Sequence, residues 1–461
     1  MTTSEFILQH RLSNPRDLAL QARRYPDVDI PYALNQIQGW QTARQKLPSW
    51  AACDGVVYPP HLNMEQCSSE PTARYKQLVV RRWLARLGAG EGGAATSMAD
   101  LTGGFGVDFY FTSRCFASAT YVERNAALCD VVRGNLPCLG ITNAQVMCAE
   151  AEDCLATMPQ QTMLFLDPAR RDEHGAKTVL IADCTPDVCH LLPLLMSKAR
   201  FVMLKLSPML DWHKAIVDLQ GTVREVHIVS VGGECKELLL VLAALDVAAT
   251  SADTGSDGVE AGVRVCCVDI MAKADAEGEY KRSEFCYTIG GAADNIPTPE
   301  TQNSKLKTQN STSPEIQNSK LKTQNSQLPT LNPQLPTLNS QFLLEPNASI
   351  MKAGCFAELG KAYGIRAISS NSHLFLSADR VEGFPGREFV VEAVTTLNKR
   401  QLKETLGSLQ QANISVRNFP MSVAELRKRL KLRDGGDTYI FATTTREGER
   451  VLIVGHKPTV S

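Results

Sequence analysis

The chain has 461 residues, 44% apolar and 21% charged, and its 48 Lys plus Arg nearly balance 49 Asp plus Glu for a net charge of −1. That describes a soluble chain able to fill two or three hydrophobic cores. It excludes a uniformly basic surface of the kind that displaces counterions from phosphates, so any nucleic-acid contact has to be local.

Residues 1–91 read as an N-terminal helical segment of short helices, interrupted at Pro15, Pro26, Pro31, Pro48 and the Pro59-Pro60 pair. Its last element, Thr72 to Leu87, has the pattern of a basic amphipathic helix carrying Arg74, Lys76, Arg81, Arg82 and Arg86. The stretch Thr96 to Leu101 reads as a strand that runs into Asp100-Leu101-Thr102-Gly103-Gly104-Phe105-Gly106. Glycines accept backbone angles that side chains forbid, and their bareness leaves room for a nucleotide-type ligand across the strand end. The G-x-G-x-x-G spacing that cradles a pyrophosphate is absent. An acid, Asp100, stands there instead, and it would repel a diphosphate while holding a cationic or hydroxyl-bearing ligand such as S-adenosyl-L-methionine.

A second strand candidate, Ala119 to Glu123, ends on an acid 23 residues beyond Asp100, about one strand–helix–strand unit. Glu123 can accept from both hydroxyls of a ribose, each such charge-assisted bond contributing on the order of 1.5–3 kcal/mol. A third run, Val146 to Ala151, places Glu150 at a strand end near an adenine amino group. The fourth, Met163 to Arg171, stops at Asp167-Pro168, and the proline holds Asp167 extended so that its carboxylate meets the sheet rim where a methyl acceptor would lie.

This set, Asp100 to Gly106, Glu123, Glu150 and Asp167-Pro168-Ala169-Arg170, resembles the class I S-adenosylmethionine-dependent methyltransferases. The resemblance extends to Glu65-Gln66-Cys67-Ser68-Ser69-Glu70, Lys205-Leu206-Ser207-Pro208, Glu234-Cys235-Lys236-Glu237 and Glu345-Pro346-Asn347-Ala348, as in bacterial methyltransferases with a THUMP-like C-terminal domain. It implies an α/β fold: a Rossmann-like seven-stranded methyltransferase sheet, an N-terminal helical segment and a small C-terminal α+β domain. It also implies a methyltransferase acting on RNA, with S-adenosyl-L-methionine bound by Asp100, Thr102, Gly103, Gly104, Gly106, Glu123 and Glu150, and with Asp167, Arg170 and Lys205 at the acceptor side. Glu70 and Lys76 are expected to line the pocket.

Asp-Pro-Ala-Arg departs from the Asp-Pro-Pro-Arg and Asn-Pro-Pro-Tyr forms, because Ala169 replaces the second proline and Arg170 stands where an aromatic would stack a flipped base. Adenine N6 chemistry is therefore disfavoured. Arg170 suits a phosphate or a purine carbonyl edge, which makes guanine the favoured base, or it pairs with Asp172 or Glu173. Asp167 would accept a hydrogen bond from an acceptor nitrogen and take its proton.

Lys205 follows the strand Phe201 to Leu204 and could steer an anionic substrate. Glu234, Lys236 and Glu237 lie in a hairpin between the strands 226–231 and 238–241, where a mutual salt bridge is expected. The domain reading is helical 1–91, methyltransferase 92–248, a β-rich segment 262–383 interrupted by an insertion at 295–339, and a THUMP-like α+β domain at 384–461. In that last domain Arg427 to Arg433 concentrates five positives in seven residues on a helix that Ser422 and Glu425 can close with a capping box. This face either contacts an RNA backbone or is simply solvated.

The fourteen cysteines include no C-x-x-C spacing, so no metal site is expected and they read as reduced, buried small hydrophobes. The longest apolar runs, such as 238–245, are strand-length and predict no membrane span. Met1 to Glu5 lacks the basic and apolar regions of an export signal, and the cytoplasm is the expected compartment. A methyltransferase acting on protein or a small molecule, and an RNA-binding protein with a relic cofactor pocket, are the alternatives.

The insertion repeats QNSKLKTQNS at 302–311 and 317–326 and LPTLN at 328 and 335. So polar a segment cannot bury enough apolar surface to offset its ordering, and disorder is expected over 295–339. A variant lacking 295–339 should bind methyl donor with the affinity of the full chain in a calorimetric titration; loss of binding would contradict the reading.

Overall fold

The computed structural model describes residues 1–89, 96–170, 181–244, 262–290 and 341–458. The chain forms two compact units, Met1–Arg282 with Cys286–Thr298, and Ser283–Phe285 with Pro299–Ser461. The insertion at 295–339 and the acids Asp172 and Glu173 lie outside the described residues.

In chain order the first unit supplies β1 (Ser97–Asp100), β2 (Ser118–Glu123), β3 (Ala144–Cys148), β4 (Gln161–Leu166), β5 (Ala169–Arg170), β6 (Cys184–Thr185), β7 (Ala199–Leu206), β8 (Val223–Val231), β9 (Glu234–Ala243) and β10 (Val263–Ile270); β11 is Arg282–Ile289. The large sheet runs β11-β10-β8-β9-β7-β4-β1-β2-β3, while β5 and β6 pair apart from it. β1 pairs in parallel with both β2 and β4, and β7 pairs in parallel with β4. β9 is antiparallel to its neighbours β7 and β8. Chain order therefore reverses between β1 and β4, and an open α/β sheet offers its ligand crevice at such a point, beyond the carboxyl ends of the strands.

The expected seven strands are all present in this sheet, and β10 and β11 add two more. These two strands open the segment read as β-rich, and they extend the large sheet. The physical reason is the edge that β8 would otherwise present: β10 covers it in parallel register from Arg264↔Glu225 to Ile270↔Val231, burying Val265, Cys266, Cys267 and Val268.

The amphipathic helix expected at Thr72 to Leu87 is observed as Glu70–Arg86, with Pro71 in its first turn, where a missing N–H costs nothing. Its apolar stripe, Ala73, Val79, Val80, Trp83 and Leu84, belongs to one core with Phe201, Met203 and Val241 of the sheet, and the Trp83 and Phe201 rings stack at 5.4 Å. This helix and the sheet thus share one hydrophobic core, while Phe6, Leu18, Val28, Ala33 and Ile37 of the first helices form another. A buried polar group lies inside it: Glu225 accepts from Trp83 Nε1 at 3.0 Å and pairs with Arg86 and His227, whose Nδ1 lies 2.9 Å from the Tyr75 hydroxyl.

The second unit contains β12 (Phe342–Pro346), β13 (Arg366–Ala367), β14 (Phe375–Ser377), β15 (Gly386–Thr396), β16 (Asn413–Arg417), β17 (Thr438–Thr444) and β18 (Arg450–His456), in the order β13-β14-β12-β15-β18-β17-β16. Alternation sends Ile440, Ala442, Leu452 and Val454 into one core and Phe441, Val451 and Ile453 into another, so this sheet is buried on both faces. The helix Val423–Leu430 starts with the capping box of Ser422 and Glu425. Glu345, buried, is held by Arg387 and by Arg417 at 3.1 Å, and Asn347 caps the helix Ala348–Ala353 through Ile350 N.

Candidate active site

Asp100 is the last residue of β1, Glu123 the last of β2, and Asp167 directly follows β4. Glu150 caps the helix Ala151–Thr157 just after β3 without a side-chain capping bond. These carboxylates face one cavity of about 780 Å³ that Thr102, Gly103, Gly104, Gly106 and Lys205 also line. That volume lies within the range of pockets that enclose a nucleoside-sized ligand. The candidates from the strand ends and the glycine loop, with Lys205, are all among its walls. The Arg170 backbone pairs with Cys184 in the β5–β6 ladder, and its side chain lies outside the described residues.

The glycine loop is shaped by Tyr121, a fully buried ring whose hydroxyl donates to Gly104 O at 2.5 Å. A Cβ on Gly103 would fall 2.1 Å from Tyr121 Cε2, so no side chain fits there. Gly106, at φ +81°, turns the chain into the helix Val107–Ser113 in a conformation that favours glycine. The backbone N–H of Gly104 then donates to Glu123 Oε2 at 3.0 Å, and that of Asn125 to Oε1 at 2.9 Å. Loop and Glu123 are one hydrogen-bonded unit. Thr102 ties in Asp100 and Asp167: its N–H donates to Asp100 Oδ1 at 3.0 Å, and its hydroxyl oxygen accepts from Asp167 N at 2.6 Å.

Asp100 is 1% exposed. Burial pushes its carboxyl well above the usual range; the Thr102 N–H opposes this, and repulsion from Asp108, Asp167 and Glu123 adds to it.

Lys205 does not stand free to steer an anion. Its Nζ lies 2.5 Å from Asp167 Oδ2 and 3.9 Å from Asp108 Oδ2, and its side chain is 12% exposed. Burial disfavours the ammonium, but Asp167, Asp108 and Glu237 outweigh it and hold the group charged well above the ordinary lysine range. Behind it Lys76, fully buried, reaches Asp108 Oδ1 at 3.1 Å and Glu237 Oε1 at 2.7 Å, while Ser68 donates to Asp108 Oδ2 at 2.7 Å. Burial would raise the Asp108 carboxyl, yet Lys76 and Lys205 bring it below its usual range.

Lys76 is therefore an interior counter-ion and not a pocket wall. Glu70 also lies off the cavity, accepting from Ser49 N at 2.9 Å and pairing with Arg74 at 2.8 Å. The expected hairpin salt bridge forms between Lys236 and Glu234 at 2.7 Å, but Glu237 turns inward to Lys76. Sequence reasoning missed Asp108, which reads as a first-turn helix acid, and missed Gln66, Cys67 and Ser68 as cavity walls. Their presence in the Glu65 to Glu70 run was the available signal.

Residues 386–457 match the family described as THUMP domain-like, and residues 342–385 match one described as a ferredoxin-like domain. Over 99% of this chain and 98% of the other, the structure is similar to that of a Porphyromonas gingivalis W83 protein provisionally described as a methyltransferase, at 26% identity and a TM-score of 0.73. An rRNA methylase from Streptococcus thermophilus aligns over 36% of this chain and 95% of its own at 12% identity, and its TM-score of 0.28 carries no weight. A precorrin-6y methyltransferase from Geobacter metallireducens GS-15 aligns over 36% and 87% at 15% identity with a TM-score of 0.26, equally without weight. No curated protein matches. Strand order, site position and full-length likeness define the class: a class I methyltransferase fold with a THUMP-like domain at its C-terminus. Among the described residues no helix is long and apolar enough to cross a membrane, and no cluster of metal-ligating groups occurs.

Two substitutions probe the site's construction. Lys76→Met leaves Asp108 and Glu237 buried without their shared cation and should cost about 3–5 kcal/mol in urea unfolding, part of it regained in Lys76→Met/Glu237→Gln; equal stabilities of all three proteins would contradict the network. Gly103→Ala should cost about 1–3 kcal/mol because the anchored Tyr121 ring cannot yield, whereas an unchanged melting temperature would show that the loop accommodates a Cβ.

Proposed function

We propose that this protein is an S-adenosyl-L-methionine-dependent methyltransferase that methylates a base nitrogen in RNA, tRNA or rRNA, with guanine the favoured base. The observation that carries the reading is the meeting of Asp100, Glu123, Glu150 and Asp167 on one cavity at the carboxyl edge of the sheet. The residues fit the cofactor. Asp100 is a buried acid that pairs with no cation among the described residues, which suits a cationic ligand. Glu123, fixed by two backbone N–H groups, presents its remaining lone pairs to ribose hydroxyls. Glu150, exposed to the cavity, accepts from an adenine amino group. Gly103, Gly104 and Gly106 let backbone approach the ligand, and Thr102 fixes the acids about it.

When bound, the cofactor supplies an electrophilic methyl group on a sulfonium. The protein's part is placement, and well-oriented reactions gain about 7–11 kcal/mol from it. Asp167, whose side chain is 36% exposed, has Oδ2 fixed by Lys205, so its other oxygen is the one to accept from an acceptor N–H and to take the proton during or after transfer. The RNA assignment draws support from the THUMP domain-like match at 386–457. Cytoplasmic residence is part of the same proposal.

Labelled methyl donor should transfer its methyl group into total RNA and not into protein, and Asp167→Ala should abolish transfer while retaining donor binding. Label in protein alone would overturn the RNA assignment. Glu123→Gln should weaken donor binding by about 10- to 150-fold, the equivalent of about 1.5–3 kcal/mol; unchanged affinity would remove Glu123 from the ribose site.

A further inference from the structure

The acids around the cavity are unevenly neutralised. Lys76 and Lys205 serve Asp108, Glu237 and Asp167. Glu123 has two backbone N–H partners and is partly exposed. Asp100 is different: it is 1% exposed, accepts among the described residues from one neutral donor, the Thr102 N–H at 3.0 Å, and faces Asp108 from the helix Val107–Ser113, Glu123 from the end of β2 and Asp167 from beyond β4. No lysine or arginine within bonding distance of it is found among the described residues, and the nearby Lys205 is held by Asp167 and Asp108.

A carboxylate taken out of water needs a counter-charge or a proton. We propose, resting on the methyl-donor reading of this site, that Asp100 carries a proton in the empty protein and surrenders it to solvent when the cationic group of the ligand arrives, so that donor binding is coupled to release of one proton. The exchange balances in charge: a neutral carboxylic acid and a ligand cation become a carboxylate–cation pair and a solvated proton. The upward displacement of the Asp100 carboxyl by burial and by its acidic neighbours agrees with this. The site is thereby selective for charge, because a ligand lacking the cation leaves the proton in place.

The sign of the pH effect follows. Below the raised titration point the ligand has to displace a proton, so affinity for S-adenosyl-L-methionine should rise about tenfold per pH unit with increasing pH and level off once Asp100 is ionised. Calorimetric titrations of the full chain with S-adenosyl-L-methionine, in buffers of different ionisation enthalpy over a pH series, should give proton release that approaches one toward the acidic end and falls as pH rises. Asp100→Asn, which keeps the acceptor oxygen for Thr102 N and lacks the proton to lose, should bind more weakly and release none. Equal release by both proteins, or none by the wild type, would overturn the proposal.

A second arm needs no ligand. An acid whose titration point is raised in the folded state binds a proton that the unfolded chain has already lost above about pH 3.9, so the wild type should lose stability relative to Asp100→Asn as pH rises above that value. Parallel stability curves would overturn the proposal. Should the wild type bind no donor at all, the functional reading fails, and the stability curves still decide the state of Asp100.

Discussion

The organising constraint is the crowding of carboxylates at one edge of a parallel sheet, balanced among the described residues by Lys76 and Lys205. Asp100, Glu123 and Asp167 lie at three neighbouring strand ends because β4, β1 and β2 are adjacent and parallel in the sheet. Like charges so close repel, and the protein answers with Lys205 between Asp167 and Asp108 and Lys76 between Asp108 and Glu237. The second lysine comes from the helix Glu70–Arg86, so the N-terminal layer completes the electrostatics of the sheet edge as well as its hydrophobic core. Breaking one member of such a buried set exposes the others to the full penalty of an unpaired charge.

The glycine loop solves a different problem. Tyr121 fills the space beneath Gly103, and the Gly104 N–H closes on Glu123, so the loop and the acid of the next strand are aligned before any ligand arrives. A site whose parts already hold one another loses less on binding, which is how a protein that chiefly positions its reactants contributes to rate. Asp167 is held in the same manner, its N–H by Thr102 and its carboxylate by Lys205.

The meeting of four acids on one cavity was legible in the sequence because each follows a strand of an alternating βα chain: Asp100, Glu123, Glu150 and Asp167 are each marked by the apolar run that precedes them. The capping box of Ser422 and Glu425 was legible for a similar reason, being a local pattern with a local cause. What escaped is long-range. The pairing of Lys76 with Asp108 and Glu237 joins positions brought together only by folding, and nothing in the sequence near Lys76 distinguishes it from the arginines of the same helix. Lys205 lies near the end of β7, but its partners are long-range, Asp167 beyond β4 and Asp108 on the helix that follows the glycine loop. Strands β10 and β11 read as β structure, yet which sheet takes them is decided by the open edge of β8.

The most direct test is a crystal structure with S-adenosylhomocysteine. The account predicts the ribose hydroxyls within about 3.2 Å of the Glu123 carboxylate, the amino acid moiety against Asp100, and the thioether sulfur directed toward Asp167. A ligand bound elsewhere, or seated in the cavity with its ribose turned away from Glu123, would contradict it.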